Sequence, residues 1–470
     1  MSITVFGMIL LPISLWLAYR PIRLLQLALL VAAFEAAAAL IFGNFGLQPA
    51  MVPGLLFVLY MVSQYAIGMR YPGEGGVLWA MLPLLLLLLY AVMSAWLLPD
   101  LFAGRVMVAP QKADPLAPDA FVPLQAGFGN VTQTLYLAFN VLLATVVAIF
   151  LTRARIPCES LIAAYLLSGY VVVALALWQF ASRVAGLPFP DTLLHSNPGW
   201  AIVEQEVGSV PRIQGPFSEP AALAGYMSGI AFCSLWITLR GYRTMWPNVL
   251  FLLSLGTILL STSTTGIVTV AVGLPFTFAL ALAGGGRAAV GRIGRTAGVL
   301  VLGGVMLGAL IFATRPSLFD SVQTVVEATL SKGESESFQE RSEWDAGALE
   351  TLAPTYGLGV GWGSYRSSSL IPGLLANAGV FGIAMVIWLL LRLRRLRVQG
   401  RVVSRGHAGQ ILVDGFTAAL CGQLAAAAVA SPMITAPVFF LQLGCVVGIL
   451  VRMVIEPRLS AGVTTAPASA

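Results

Sequence analysis

The stretch Arg212-Ile-Gln-Gly215-Pro-Phe217-Ser-Glu219-Pro220 places an arginine and a carboxylate either side of a glycine, directly before a long apolar run. A guanidinium grips phosphate oxygens through a planar, bidentate fork, and a carboxylate can act as a general base. Pro220 suits the first turn of a helix, which puts Glu219 at the N-cap, where a carboxylate also satisfies orphan amides and complements the helix dipole. Base and cap therefore stand as alternatives for Glu219, as ligand contact and solvated loop residue do for Arg212. A second cluster, Phe338-Gln-Glu340-Arg341-Ser-Glu343-Trp344-Asp345, is followed by Ala348, Leu349 and Leu352, a pattern that predicts a helix lying on a surface. Within it Arg341 and Asp345 are spaced for an ordinary i,i+4 ion pair. A third, Gly357-Leu-Gly359-Val-Gly361-Trp362-Gly363-Ser364-Tyr365-Arg366-Ser367-Ser368-Ser369, has alternating glycines that allow close approach of backbone to backbone or to ligand. No Gly-Lys-Ser/Thr follows it, so it is not a P-loop. Together Arg212, Arg341 and Arg366 suit an anionic ligand, a pyrophosphate held and stabilised as a leaving group. His195 and His407 have no ligand-like company, and no metal site is expected.

The elements that carry these residues are apolar helices. Of 470 residues 58% are hydrophobic and only 10% charged, with mean hydropathy +0.88. A soluble domain carries roughly 25% charged residues. A soluble enzyme and a nucleic-acid binder are both excluded, and the net charge of +6 reads as a topology signal. Thirteen apolar runs fall near 3–19, 24–42, 50–69, 77–98, 131–151, 160–181, 219–239, 246–262, 265–283, 296–314, 371–391, 411–430 and 437–455. The expected fold class is all-α, a single polytopic helical bundle over 1–470 with about 12–13 transmembrane helices. Basic residues crowd one set of short connections, including Arg20, Arg23, Arg70, Arg153, Arg155, Arg240, Arg243 and the basic loop 392–410. That face is expected to be cytoplasmic, with a disordered tail at 456–470 and the N-terminus outside. The opposite face receives three long segments, 99–130, 182–218 and 315–370, and most of the acids, among them Asp114, Asp119, Glu204, Asp320, Glu327 and Glu334. Cys158, Cys233, Cys421 and Cys445 have no extracytoplasmic pairing, and no disulfide is expected. Glu35 is the one acid deep in an apolar run. It is either functional or hydrogen-bonded among the small residues Ala36–Ala39. No pair of broken half-helices is evident.

In the order Arg212-x-x-Gly215-x-Phe217-x-Glu219-Pro220, Arg341 with Trp344, Gly357-x-Gly359-x-Gly361 and Leu374-Leu-Ala-Asn377-Ala-Gly379-Val-Phe-Gly382, the chain resembles the O-antigen ligase and polysaccharide polymerase superfamily of bacterial inner membranes. The likeness covers about 205–385 well and the other helices by number and order. It implies a C-type glycosyltransferase-like membrane fold whose large periplasmic loop carries short helices. It also implies transfer of glycans from undecaprenyl pyrophosphate at the periplasmic face, without metal, nucleotide sugar or other cofactor. It assigns the pyrophosphate to Arg212 and Arg341, with Arg366 as an addition; Glu219 is expected beside them as base or acceptor-orienting group, and Gly215, Trp344, Arg366 and Ser368 as substrate contacts. Ligases of this kind usually carry a histidine just after the glycine-rich turn, where this chain has Ser367-Ser368-Ser369, so the polymerase branch is expected. Many members also carry a Ser-Arg pair where this chain reads Ser261-Thr-Ser263-Thr264-Thr265-Gly266, without arginine. The partners implied are a lipid-linked glycan and the bilayer, with a chain-length regulator or flippase as further candidates and no nucleic acid. A ligase acting on lipid A core or protein, and a flippase or secondary transporter, are the alternatives.

Overall fold

Inside hydrocarbon every backbone N–H and C=O must find a partner within the protein, and apolar runs of this length meet that demand as helices. The computed structural model describes residues 1–43, 45–111, 121–153, 156–198, 206–207, 210–242, 244–314, 336–403, 409–430 and 436–464. In chain order its helices are α1 (Val5–Trp16), α2 (Pro21–Val31), α3 (Met51–Ala66), α4 (Glu74–Leu101), α5 (Phe128–Leu151), α6 (Glu159–Ala185), α7 (Asp191–Leu194), α8 (Pro220–Arg240), α9 (Pro247–Leu260), α10 (Thr264–Thr314), α11 (Glu336–Glu350), α12 (Leu370–Val403), α13 (Gln410–Val429) and α14 (Pro437–Thr464). Short strands β1 (Ser2–Ile3), β2 (Leu40–Phe42) and β3 (Phe45–Leu47) form one antiparallel sheet, with Ser2 opposite Ile41 and Leu40 opposite Leu47. The pair β4 (Met107–Val108) and β5 (Val122–Pro123) and the pair β6 (Glu206–Val207) and β7 (Val210–Pro211) are two-residue ribbons.

Among the described residues eight helices are long and apolar enough to cross a membrane: α4, α5, α6, α8, the Thr264–Ala283 part of α10, the Leu370–Gly400 part of α12, α13 and the Pro437–Ile455 part of α14. The fold is that of a mostly helical, multi-pass membrane protein. Four expected spans are shorter apolar helices instead, α1, α2, α3 and α9. Pro21 starts α2 anew after Arg20, and Thr262 at φ 46° separates α9 from α10. The helix α10 continues through both apolar runs 265–283 and 296–314. Helix also extends through much of the basic segment 392–410, to Val403, and through 456–464 of the expected tail. Propagating an existing helix adds a hydrogen bond per residue, and leucine and arginine are good helix formers. Segment 315–335, with Asp320, Glu327 and Glu334, lies outside the described residues, as do Lys112, Asp114, Asp119, Arg155, Glu204, Arg243, Arg405, His407 and 465–470.

Helix α8 is central. It is apolar all round and packs against α9, α10 and α13. Small residues set the spacing: a Cβ at Gly422 of α13 would stand 2.8 Å from the Ser228 carbonyl oxygen of α8. The described parts of the connections 102–127, 186–219 and 351–369 gather at one end of the bundle, called here the loop end. The opposite end carries Arg153, Arg240, Arg394, Arg395 and Arg397 and is called the basic end.

At the loop end α12 is broken. Gly379 has φ 62° and ψ −162°, inside what is otherwise continuous helix. The groups freed by the break are taken up by the glycine-rich turn: Val360 N–H donates to the Ala376 carbonyl at 2.7 Å, and Val380 N–H donates to the Gly357 carbonyl at 2.9 Å. This is the arrangement required where helix is interrupted inside a membrane protein. The turn's glycines therefore serve backbone-to-backbone contact. A Cβ at Gly359 would lie 2.6 Å from the Ala376 oxygen, and one at Gly361 would lie 2.6 Å from the Ser94 oxygen of α4. Both Gly359 (φ 84°) and Gly361 (φ 100°) also hold left-handed backbone.

Gly379→Ala should destabilise the protein by at least about 2 kcal/mol, since it adds left-handed strain to a collision with the Gly357 carbonyl. Gly256→Ala in α9, where a Cβ meets nothing within 4 Å, should be neutral or stabilising by up to about 1 kcal/mol. Thermal unfolding of both variants in detergent checks the contrast.

Candidate active site

The loop leading into α8 is fixed before any ligand arrives. Gly215 turns it with φ 57°. The Gln179 side-chain oxygen, from α6, accepts from Gln214 N–H at 3.0 Å and Gly215 N–H at 2.8 Å. His195 donates from Nε2 to the Gly215 carbonyl at 2.8 Å, since a carbonyl oxygen only accepts, and its Nδ1 stands 3.2 Å from Asp191 Oδ1. The Pro216 carbonyl accepts from Ala36 N–H at 3.1 Å. Ile213, Gln214, Phe217 and Ser218 are all buried. Arg212 is thus carried on a rigid strap, and Gly215 shapes that strap: both its backbone groups are spoken for by the protein, not presented to a substrate.

Glu219 occupies the N-cap of α8, with Pro220 at the first helical position, but its side chain makes no capping hydrogen bond. Its Oε2 instead meets Arg341 Nη2 at 3.4 Å. Arg341 comes from α11, which is held down by a small apolar core of its own. Trp344 and Ala348 pack there with Leu98, Phe102, Val360 and Tyr365. Phe338 and Leu349, expected on the packed face, are exposed; the buried stripe runs through Trp344, Ala348, Thr351 and Thr355, at helical spacing from Arg341. The i,i+4 partner expected for Arg341 is engaged elsewhere. Asp345 accepts from the Ser367 hydroxyl at 2.8 Å, Ser368 N–H at 2.9 Å, Ser369 N–H at 3.2 Å and the Ser369 hydroxyl, tying α11 to the start of α12. The serine run, and Ser368 within it, is accordingly an anchor for Asp345. Asn377, just before the break in α12, clamps the glycine-rich turn through Gly363 N–H, Tyr365 N–H and the Tyr365 carbonyl. Arg366 is exposed and lies over the Trp344 ring at 4.3 Å. Trp344 itself is buried, so its role is to seat Arg366 and α11.

Arg212, Arg341 and Glu219 therefore converge at the head of the central helix. Burial lowers the pKa of the Arg212 guanidinium below its ordinary value, the like charge of Arg341 lowers it further, and Glu219 opposes both. The Glu219–Arg341 contact is monodentate and both side chains are about a third exposed, 35% and 33%. Such a pair contributes about 0–1 kcal/mol to stability. An arginine–phosphate bond contributes roughly 1.5–3 kcal/mol, so an arriving anion can displace Glu219 from Arg341. The open N-terminus of α8 adds positive potential at the same place.

Glu35 joins this group from an unexpected direction. The helix α2 ends at Val31, and Glu35 lies in the turn that follows, outside the candidate spans, not in mid-helix. Small residues at Ala36–Ala39 let that turn pack against the arginine strap, and all four are buried. Desolvation first, then the negative charge of Glu219, raises the Glu35 pKa from 4.5 to about 7. Glu35 Oε2 and Gln48 Oε1 have no hydrogen-bond partner among the described residues. Both side chains border a cavity of about 10 Å³ beside Phe217 and Tyr226, the size that holds one water.

Sequence reasoning overlooked Gln179, His195, Asp345 and Asn377 as positioning groups. The Asn377-Ala-Gly379 step was the one local signal for the helix break; the other contacts are set by residues far apart in the chain. Compared with known proteins, the chain matches no family model and no curated sequence.

Because Glu35 binds its proton more tightly folded than unfolded, its contribution to stability is complete below pH 4.5 and is lost as the pH rises to about 7. Glu35→Gln should therefore gain thermal stability relative to the parent as pH rises from 5 to 7, with the difference levelling off above 7. Parallel unfolding curves across that range measure it; a constant difference would remove Glu35 titration from the account.

Proposed function

We propose that this chain is a polymerase of lipid-linked oligosaccharide repeat units, acting at the periplasmic face of a bacterial inner membrane in exopolysaccharide, capsule or O-antigen assembly. The observation that carries the reading is the meeting of Arg212, Arg341 and Glu219 at the head of α8. There Arg341 holds the Glu219 carboxylate weakly and both charges act on the Arg212 guanidinium, next to a helix N-terminus, at the loop end of a membrane bundle. The order of the arginine, glycine-rich and Asn-Ala-Gly motifs, with its resemblance to the O-antigen ligase and polymerase superfamily, supports the same reading and with it a C-type glycosyltransferase-like fold.

In this mechanism the donor's pyrophosphate lies against Arg212 and Arg341, displacing Glu219 from its ion pair. A hydroxyl of the second glycan attacks the anomeric carbon of the donor. The new glycosidic C–O bond forms as the bond to the pyrophosphate oxygen breaks, and the hydroxyl proton passes to the freed Glu219 carboxylate. Undecaprenyl pyrophosphate leaves with its charge held by the two guanidiniums. Arg366, exposed on the Trp344 face, extends the cationic surface toward the glycan or carrier. The three serines that stand in place of a histidine favour polymerase over ligase chemistry.

Purified protein incubated with a synthetic lipid-pyrophosphate oligosaccharide should give a ladder of elongated products. Arg212→Lys should slow elongation by about 10- to 100-fold, nearly as much as Arg212→Ala, because an ammonium lacks the fork. Normal polymer from folded Arg212→Ala protein would remove Arg212 from the mechanism. In cells, loss of a polymerase leaves single repeats, whereas loss of a ligase leaves long chains on the carrier lipid.

A further inference from the structure

At the basic end Arg392 is buried with no ion pair among the described residues. Arg392 of α12 is only 6% exposed. Its guanidinium carbon lies 4.0 Å from the centre of the Trp79 ring of α4 and 4.3 Å from that of Trp388, one turn earlier on α12. Two indole faces thus cover the cation. Stacking of this kind satisfies the flat faces of a guanidinium but none of its in-plane N–H donors. Nε and Nη1 of Arg392 are buried and have no acceptor among the described residues.

The neighbourhood indicates what the acceptor is. The covering Trp79 ring is itself 48% exposed, so the site lies at the periphery of the bundle and not in its interior. Leu82, one turn along α4 from Trp79, is 36% exposed, and Leu391, one turn after Trp388, is 47% exposed. An apolar, outward-facing surface therefore adjoins the cation. Tryptophans gather at the level of the headgroups, and Arg392 is the first arginine α12 meets as it leaves its apolar stretch. Arg395 follows on the same helix face and is exposed. Basic pockets between membrane helices suit anionic headgroups.

From these placements we infer that Arg392, between Trp79 and Trp388, forms a binding site for the phosphate of an anionic phospholipid in the leaflet at the basic end. The phosphate oxygens accept from the Arg392 guanidinium, Arg395 adds charge from the rim, and the acyl chains lie along the surface marked by Leu82 and Leu391. This site is independent of the arginines at the loop end and of the glycan reading.

The test uses full-length protein in a neutral detergent, with thermal unfolding and native mass spectrometry as readouts. Dioleoyl phosphatidylglycerol should raise the unfolding temperature by several degrees and remain as a bound adduct. Dioleoyl phosphatidylcholine and inorganic phosphate at the same concentration should do neither. Arg392→Gln should abolish the phosphatidylglycerol shift, Arg392→Lys should reduce it, and Arg105→Gln, outside this site, should leave it intact. An equal shift from inorganic phosphate would make this a free-anion site and overturn the lipid assignment. Persistence of the full shift in Arg392→Gln, or no preference of the parent protein for phosphatidylglycerol, would overturn the site itself. If Arg392→Gln does not fold, the three-ligand comparison on the parent protein and Trp388→Leu, which removes half of the stacking, decide the question on their own.

Discussion

The structure turns on the repulsion between two guanidiniums that the fold refuses to separate. Arg212 is carried on a strap that Gln179, His195 and Ala36 hold in place, and Arg341 on a helix pinned by Asp345 and Trp344. Neither support can relax without breaking hydrogen bonds, so the two charges stay within electrostatic reach of each other and of Glu219. One exposed, monodentate carboxylate is a weak counterion. Two guanidiniums fixed by the fold beside a displaceable internal anion suit a ligand carrying more than one negative charge, because the cost of assembling the cations is met during folding.

The same logic explains why so much of the loop end consists of backbone fitted to backbone. A helix broken at Gly379 exposes a carbonyl and an amide where water is scarce, and the glycine-rich turn supplies their partners. Side chains at Gly359 or Gly361 would hold the turn away and leave those groups unsatisfied. The turn then presents Tyr365 beneath Trp344, Arg366 over it and the serines to Asp345. The position of Arg341 is thus set by a helix break more than thirty residues later in the chain.

Much of this was legible in the sequence for identifiable reasons. Apolar content alone marks the spans, since few other structures survive in hydrocarbon, and Glu219-Pro220 announces the start of α8. What spacing could not supply was direction. Glu35 reads as a mid-span acid because Ala36–Ala39 continue its apolar run, yet the helix ends at Val31 and the carboxyl packs against the strap. Ser368 reads as a substrate contact, and its N–H, together with Ser367 and Ser369, fastens Asp345. Arg341 and Asp345 have the spacing of an ion pair, but each finds a partner from another segment. For that pair long-range contacts outweighed a local rule worth only a few tenths of a kcal/mol.

The most direct test is equilibrium binding of a short-chain polyprenyl pyrophosphate to the purified protein, compared with the corresponding monophosphate and across ionic strength. The account predicts that the pyrophosphate binds at least about tenfold more tightly, as one further charge-assisted bond requires. It also predicts that Arg212→Ala and Arg341→Ala each erase that preference. Equal affinity for the two lipids, or an unchanged preference in either variant, would contradict it.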